Sequence, residues 1–559
     1  MYIYSYENLK SFSQTGKSKQ YFNEIKNYYD ANFKDKPIYN LSFSNYKLFF
    51  SEGDRKTYET AFFARREYLS LLQVLALFDD AYIEQLEEIM AAICDEFTWV
   101  VPAHVAVAKI DLFASETARM LAETVYIFGD KLSTIIQERV KESIYQKIVQ
   151  PYENNSFSWD NTNNNWGAVC SCGVGLAYLY LYPERFETIK LRLFEAFKSF
   201  LSGFDDEGYC YEGVNYWQYG FSNFCVFFNV YEKLKNIRPE FIDSTKVKRV
   251  LQYLQNAKMS EDVYLPFADG GYPTWAQNPH YAYSIKSLYP NDFKLDKMAE
   301  IVPMSKGLGL YSLYAIEQWD EKKNLQCKEE SIYYSQAQVF IRKREKYSFA
   351  VKGGCNEELH NHNDVGAFQI VKNNKRVICD FGAGIYTKEY FGTNEQRYKI
   401  FACNSLSHSV PIVDDELQAF GSHYAAKILS QDENSIVMDI ADAYRNGVDC
   451  LKVEYKTEKD FVSVKYHCVG VREKTTFHFV SDCRPIVKPT GVWIENMQIS
   501  CNLSVQPKIE ERKEMPHSPE RSKFATMQPR NVYLLDYEVC GQGEIEAEFI
   551  FYLGDENNV

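Results

Sequence analysis

Residues Glu358–Gly382 read ELHNHNDVGAFQIVKNNKRVICDFG, and this stretch decides how the second half of the chain folds. Two β-rich runs, FQIVK and KRVICDF, flank Asn373 and Asn374, the residue pair suited to a tight hairpin turn. A short polar loop that crowds two His, an Asn and an Asp leads directly into the first run. His360 and His362 stand two apart, so in extended backbone both rings project to the same side. Asp380 ends the returning strand. The reading is a β-hairpin entered through a loop rich in chemistry.

Outward from the hairpin the pattern stays β toward the C-terminus and turns helical toward the N-terminus. In EIEAEFIF, Ile545, Ala547, Phe549 and Phe551 alternate with Glu544, Glu546, Glu548 and Ile550, which predicts a strand with one wet face. Up to about residue 260 apolar residues recur at helical spacing instead. In KIDLFASETARMLAETVYIF, Ile110, Phe113, Ala114, Thr117 and Leu121 share one stripe. ETAFFARREYLSLLQVLALF, YIEQLEEIMAAICDEF, ERFETIKLRLFEAFKSFLSGF and SNFCVFFNVYEKLKN read the same way. Helices of similar length in succession predict a large all-helical unit of antiparallel hairpins. No fixed-period repeat is present. The charged stretch IEQWDEKKNLQCKEE is the natural junction, giving a helical domain over 1–325 and a β domain over 326–559. At 559 residues two large cores are expected.

The net charge of -14 argues against a general nucleic-acid binder, which needs a basic face, but not against a polyanion held by a local cationic cleft. No segment is long and apolar enough to span a bilayer, and the first residues lack the apolar run of a signal peptide. The expectation is a cytoplasmic protein, or a periplasmic or secreted one if an export signal has been trimmed. Fourteen Cys are scattered without framework spacing, several inside apolar runs (Cys94, Cys225, Cys379), which predicts reduced thiols. Abundant Tyr (43) and Phe (38) suit sugar-binding clefts as well as ordinary cores.

Three further segments carry chemistry. SLSHSVPIVDDE supplies His408, which with His362 and Asp380 makes a first shell for zinc or a similar divalent ion; the same three residues also fit unrelated polar positions at strand ends. In DNTNNNWGAVCSCGVGLAYLYL a run of Asn stops at Trp166 before a small-residue helix, where an Asn side chain suits a helix cap. DDEGYCYEGVNYWQYGFSNF sets Tyr209, Tyr211, Tyr216 and Tyr219 around two Gly ahead of another apolar helix. Trp166, Tyr211 and Trp217 are candidates for stacking on sugar, and Arg397 for a two-point contact with carboxylate or sulfate, with Lys388 and Lys399 as further nearby cations.

Taken in this order, the segments resemble heparinase II/III-like polysaccharide lyases, in their glycosaminoglycan-degrading branch. NNNWGAVCSCG is similar to the family's Asn-Asn-Trp stretch, YEGVNYWQYG to its Glu-Gly-x-x-Tyr-Trp loop, HNHNDVGAFQIV with VICDFG to its entry into the sheet domain, and SLSHSVPIVDDELQ to the segment that follows. The resemblance spans roughly residues 90 to 420. It implies an α+β multidomain chain, an incomplete α/α toroid followed by an antiparallel β-sandwich, with the active site where they meet. It implies cleavage of a uronate polymer such as hyaluronan, chondroitin or heparan sulfate by β-elimination, with alginate or oligoalginate as the alternative substrate. Asn165 matches the Asn that binds the uronate carboxylate, Tyr216 the Tyr that acts as acid, base or both, and His360 the catalytic His. His362, Asp380 and His408 match the metal-binding residues, implying structural zinc, with manganese or calcium as alternatives. The chain departs from the pattern twice: Trp166 stands where some relatives carry His, and Ser409 where Asn is common. Rival readings are a glycoside hydrolase using Glu207, Glu212 or Asp269, and a non-catalytic glycan-binding protein.

Overall fold

The computed structural model describes residues 5–12, 16–105, 109–270, 279–294, 310, 328–392, 395–445, 448–517 and 528–554. Its described helices longer than one turn all lie between Tyr6 and Leu288, and its strands all lie between Glu330 and Tyr552. Each helical segment read from the sequence is a helix: Lys56–Phe78, Ile83–Cys94, Leu112–Phe128, Phe186–Ser202 and Val214–Lys235. The junction expected near residue 325 lies outside the described residues. No described helix is long and apolar enough to cross a membrane.

Helices Leu112–Phe128, Asn165–Leu181, Val214–Lys235 and Pro279–Leu288 pack one on the next in chain order. The first of these departs from the expected single apolar stripe. Of its residues only Tyr126 reaches the surface, and Ser115, Glu116, Thr117, Arg119 and Glu123 are buried with the apolar ones. Two of the polar residues find partners within the domain: Arg119 donates to Asn223, and Glu116 accepts from Tyr219 at 2.8 Å. A helix enclosed on all sides has no wet face to leave blank, so periodicity alone misreads its environment.

The β domain opens with a five-stranded antiparallel meander of Glu330–Tyr334, Val339–Lys343, Tyr347–Lys352, Phe368–Lys372 and Lys375–Ile378. Both faces of its middle strands are buried. Val339, Ile341, Ala350 and Val371 belong to the helical core, whereas Phe340, Phe349, Val351 and Ile370 belong to the core of the β domain. This sheet is therefore the layer that joins the halves, which is why FQIVK shows no polar alternation. Eight-stranded and four-stranded antiparallel sheets complete the domain. The expected hairpin turn is present: Lys372 pairs with Lys375 across Asn373 and Asn374, both at positive φ (50° and 61°). The strand Gly543–Tyr552 buries Ile545, Ala547, Phe549 and Phe551 and turns its Glu residues outward, as the sequence predicts. The described cysteines are all free, and most are buried.

Candidate active site between the domains

Asn165 begins the helix Asn165–Leu181, and its predecessor Asn164 is the cap, accepting from the Trp166 N–H at 3.1 Å. Such a cap contributes roughly 1 kcal/mol. The Asn165 backbone N–H donates to Glu212 at 3.0 Å, while its buried side-chain Nδ2 meets no hydrogen-bond acceptor. Tyr216 enters from the first turn of Val214–Lys235. That helix starts at Gly213, whose φ of 92° and close approach to Phe267 O and Gly270 N leave no room for a Cβ. The same glycine thus seats the loop that carries Asp269.

His360 arrives from the β domain with φ of 55°, a left-handed conformation uncommon for a non-glycine residue. Its ring lies 4.0 Å, centroid to centroid, from that of Tyr216. Nδ1 is 2.5 Å from Asp269, and Nε2 is 3.5 Å from Glu212. The Tyr216 hydroxyl lies 2.9 Å from that of Tyr386, which donates to Asp269 at 3.0 Å. Since a hydroxyl has one proton, the Tyr216–Tyr386 contact has Tyr216 donating. These groups surround a cavity of about 590 Å³ with Phe49, Arg55, His104, Phe113, Trp166, Asn215, Tyr219, Lys388, Phe391 and His517 on its walls.

The two carboxylates beside His360 differ in ionisation. Burial would raise Asp269, but the adjoining His360, followed by His362, holds it well below the ordinary range. Burial pushes Glu212 up to about 7, against the opposing pull of His360 and the Asn165 N–H. Burial and then the Asp269 charge push the Tyr386 phenol well up, so it stays a neutral hydroxyl.

Behind this cavity, His362, Asp380 and His408 are buried together, with one donor atom from each inside 4.8 Å of the others. His362 Nδ1 and His408 Nε2 have no hydrogen-bond partner. Their opposite ring nitrogens face carboxylates, His362 Nε2 that of Asp269 at 3.2 Å and His408 Nδ1 that of Asp380 at 2.9 Å. Two buried imidazole nitrogens left bare beside a carboxylate fit a divalent cation, and burial lowers His362 toward the neutral form a metal requires. Ser409, where Asn is common, donates no bond to the cluster; its hydroxyl accepts from the Val480 N–H.

The structure thus brings Asn165, Trp166, Tyr216 and His360 to one cavity and gathers the three metal candidates behind it. It does not bring Tyr211, Trp217 or Arg397 there. Tyr211 packs edge-on against Tyr209. Trp217 is fully buried and donates to Val250 O at 2.8 Å. Arg397 is buried, and its guanidinium is spent on the carbonyls of Asn361 and Tyr390. Tyr211 is half-buried, whereas Trp217 and Arg397 are enclosed: the aromatic or cationic side chain that suits a sugar suits an interior equally well. Lys388 lines the cavity; Arg66 is tied to Glu96 at 2.6 Å inside the helical domain.

Tyr386 is the main residue the sequence reading missed. It follows Asp380 in CDFGAGIYTKEYF, and the i, i+4 pair Tyr386 and Tyr390 is the signal that could have found it. Asp269, considered only as a hydrolase carboxylate, sits in PFADGGYP, a turn sequence without a motif.

No family model and no curated protein sequence matches the chain. Solved structures do match over nearly its whole length. A heparinase III structure superposes with TM-score 0.63 at 11% identity, covering 99% of this chain and 93% of its own. A heparan sulfate lyase mutant from Pedobacter heparinus gives 0.58 at 11% identity, covering 96% and 84%. A chondroitin AC lyase of Streptomyces coelicolor A3, solved in complex with chondroitin sulphate, gives 0.56 at 9% identity, covering 99% and 83%. The helical half, the antiparallel half and the cleft between them therefore have the fold of the heparinase III and chondroitin AC lyase structures.

Proposed function

We propose that the chain is a polysaccharide lyase that cleaves a uronate-containing polymer or oligosaccharide of the glycosaminoglycan type by β-elimination. The observation that carries this reading is the convergence of Asn165, Tyr216 and His360, from three distant segments and both domains, on one cavity. The reaction breaks the C–H bond beside the uronate carboxylate, forms a C=C bond and expels the glycosidic oxygen. As the proton leaves, charge builds on the carboxylate, where a preorganised donor counts most. The acceptor-free Asn165 Nδ2 is that donor. Tyr216, once the phenolic proton it donates to Tyr386 has been released to water in the cavity, takes the proton from carbon as phenolate and then hands it to the leaving oxygen, ending again as phenolate. Tyr386 follows both charge states, because a hydroxyl donates as readily as it accepts. His360, whose ring lies 4.0 Å from that of Tyr216 at a tilt of 32°, flanks the reacting phenol. His362, Asp380 and His408 would hold zinc, whose contribution is to fix the loop bearing His360.

The hydrolase alternative needs two free carboxyl groups facing each other across the scissile bond. Asp269 already accepts from four side chains, and Glu207 binds the Ser335 hydroxyl and backbone. That leaves Glu212 alone.

The helical wall also bears on the substrate. Arg55 is paired with Glu59, and His104 Nδ1 with Asp111 at 2.9 Å. A wall whose Arg55 is already paired favours a substrate charged by its uronate over one dense with sulfate. The test is a panel of hyaluronan, desulfated and sulfated chondroitin, heparan sulfate, heparin and alginate, followed by the ultraviolet absorbance of the unsaturated uronate. Absorbance rising at least about tenfold faster on unsulfated polymers is expected, a factor of ten being about 1.4 kcal/mol of discrimination. Release of reducing ends without the chromophore would establish a hydrolase.

A further inference from the structure

Four side chains of the β domain converge on a single carboxylate of the helical domain. His360 Nδ1 and Tyr386 OH meet Asp269 Oδ2 at 2.5 and 3.0 Å. His362 Nε2 and Tyr390 OH meet Oδ1 at 3.2 and 2.5 Å. An ionised carboxylate offers about four acceptor sites, so Asp269 is saturated and has nothing left with which to take a proton from substrate. Its two oxygens divide the work. Oδ2 serves the side chains that face Tyr216, and Oδ1 serves the His that belongs to the metal cluster.

The backbone on both sides of the His360 bond is unusual. Ala268, next to Asp269, has φ of 56°, and His360 has φ of 55°. Left-handed non-glycine residues persist where the surroundings over-determine them. A Cβ on Gly270 would strike Pro266, and one on Gly213 would strike Gly270, so the loop is pinned from two directions.

We propose that Asp269 is a positioning residue that sets both imidazoles at once. It holds His360 with the proton on Nδ1, turning Nε2 away toward Glu212 and the cavity, and it holds His362 with the proton on Nε2, leaving Nδ1 to face an ion. One carboxylate thereby ties the metal cluster, the reacting groups and the docking of the two domains together. The effect on turnover rests on the lyase reading; the effect on the two imidazoles does not.

Asp269→Asn is the discriminating variant. An amide presents donors on one side, so one of the two donor pairs must meet an N–H head on, and the imidazole in that pair must change tautomer. The full-length chain and the variant are compared by nitrogen-15 histidine spectra, with His360 assigned by its loss in His360→Gln, and by zinc titration against a competing chelator. The expected result is cooperative unfolding retained, one of the two imidazoles moved to the other tautomer, and zinc affinity lowered about 10–100-fold. On the best substrate turnover falls at least about 100-fold with KM within about threefold, the pattern of a group that acts on the transition state through others. Unchanged tautomers with unchanged zinc affinity would overturn the proposal. If both respond while the parent chain cleaves no uronate polymer, the role of Asp269 stands and the lyase reading falls. Should Asp269→Asn fail to fold, Tyr390→Phe removes one donor and keeps the carboxylate; it is expected to weaken zinc binding with the His360 tautomer intact, and wild-type zinc affinity there would overturn the proposal.

Discussion

Asp269 and Glu212 are both buried, lie on opposite sides of the same imidazole, and end up in opposite states. Asp269 collects four hydrogen bonds from side chains and is held ionised. Glu212 collects one backbone N–H on Oε1, leaves Oε2 without a hydrogen-bond partner, and is pushed up to about 7. At similar burial, the number of donors decides whether a carboxylate keeps its charge. The asymmetry also orders the cleft, with a fixed anion at Nδ1 of His360 and a proton-exchanging group facing its Nε2, beside Asn165.

The largest effect is expected at the far end of the chain that Asp269 terminates. Tyr216→Phe removes the hydroxyl that reaches Tyr386 and through it Asp269, and it removes the proposed acid and base. Turnover should fall roughly 10³-fold, in the range of general acid–base catalysis. Full activity in this variant, followed by uronate absorbance, would detach the saturated carboxylate from catalysis altogether. The contrast is sharpened next by pairing Asp269→Asn with Glu212→Gln. The first should cost about a hundredfold in turnover, whereas the second, which mimics the protonated form, should cost less than about tenfold, since a factor of ten is about 1.4 kcal/mol and no hydrogen bond to Oε1 is lost. Equal losses would mean that donor count does not separate their roles. A smaller effect again concerns the proposed metal ligands His362, Asp380 and His408. Zinc at a hundredfold excess over its Kd should raise the unfolding free energy by about 3 kcal/mol. His408→Ala, read by thermal unfolding with and without zinc, should abolish that gain.

The parts of this contrast were unequally legible in sequence. The helices around Lys56–Phe78 and Phe186–Ser202, the Asn373–Asn374 turn and the wet-faced strand Gly543–Tyr552 follow from local periodicity and turn chemistry, because each is governed by its own residues. The two-sided burial of the five-stranded sheet could not be read, because it arises from the helical domain resting on Val339, Ile341 and Ala350. Asn165, Tyr216 and His360 stood out as segments with a family resemblance. Asp269 and Tyr386 did not, because their meaning lies in contacts 91 and 117 residues distant along the chain. Arg397 looked like a ligand for anions and proved to be an internal brace, since sequence displays a charge but not the carbonyls that use it.

The finest test of the contrast is the pH dependence of Glu212. An unfolded Glu loses its proton near 4.5, whereas the folded-state value is raised to about 7. Below both values the group is protonated in either state and contributes nothing. Between them the unfolded chain has released its proton and the folded chain has kept it, so unfolding releases a proton and stability declines as pH rises. Above about 7 the loss is complete, about 3 kcal/mol given about 1.4 kcal/mol for each pH unit between the two values. Glu212→Gln has no proton to lose. Its stability relative to the parent chain should therefore climb between pH 5 and pH 8 by that amount, measured by paired denaturant titrations. A difference that stays flat across this window would mean that Glu212 is as fully ionised as Asp269, and that one backbone N–H suffices to hold a buried charge in this cleft.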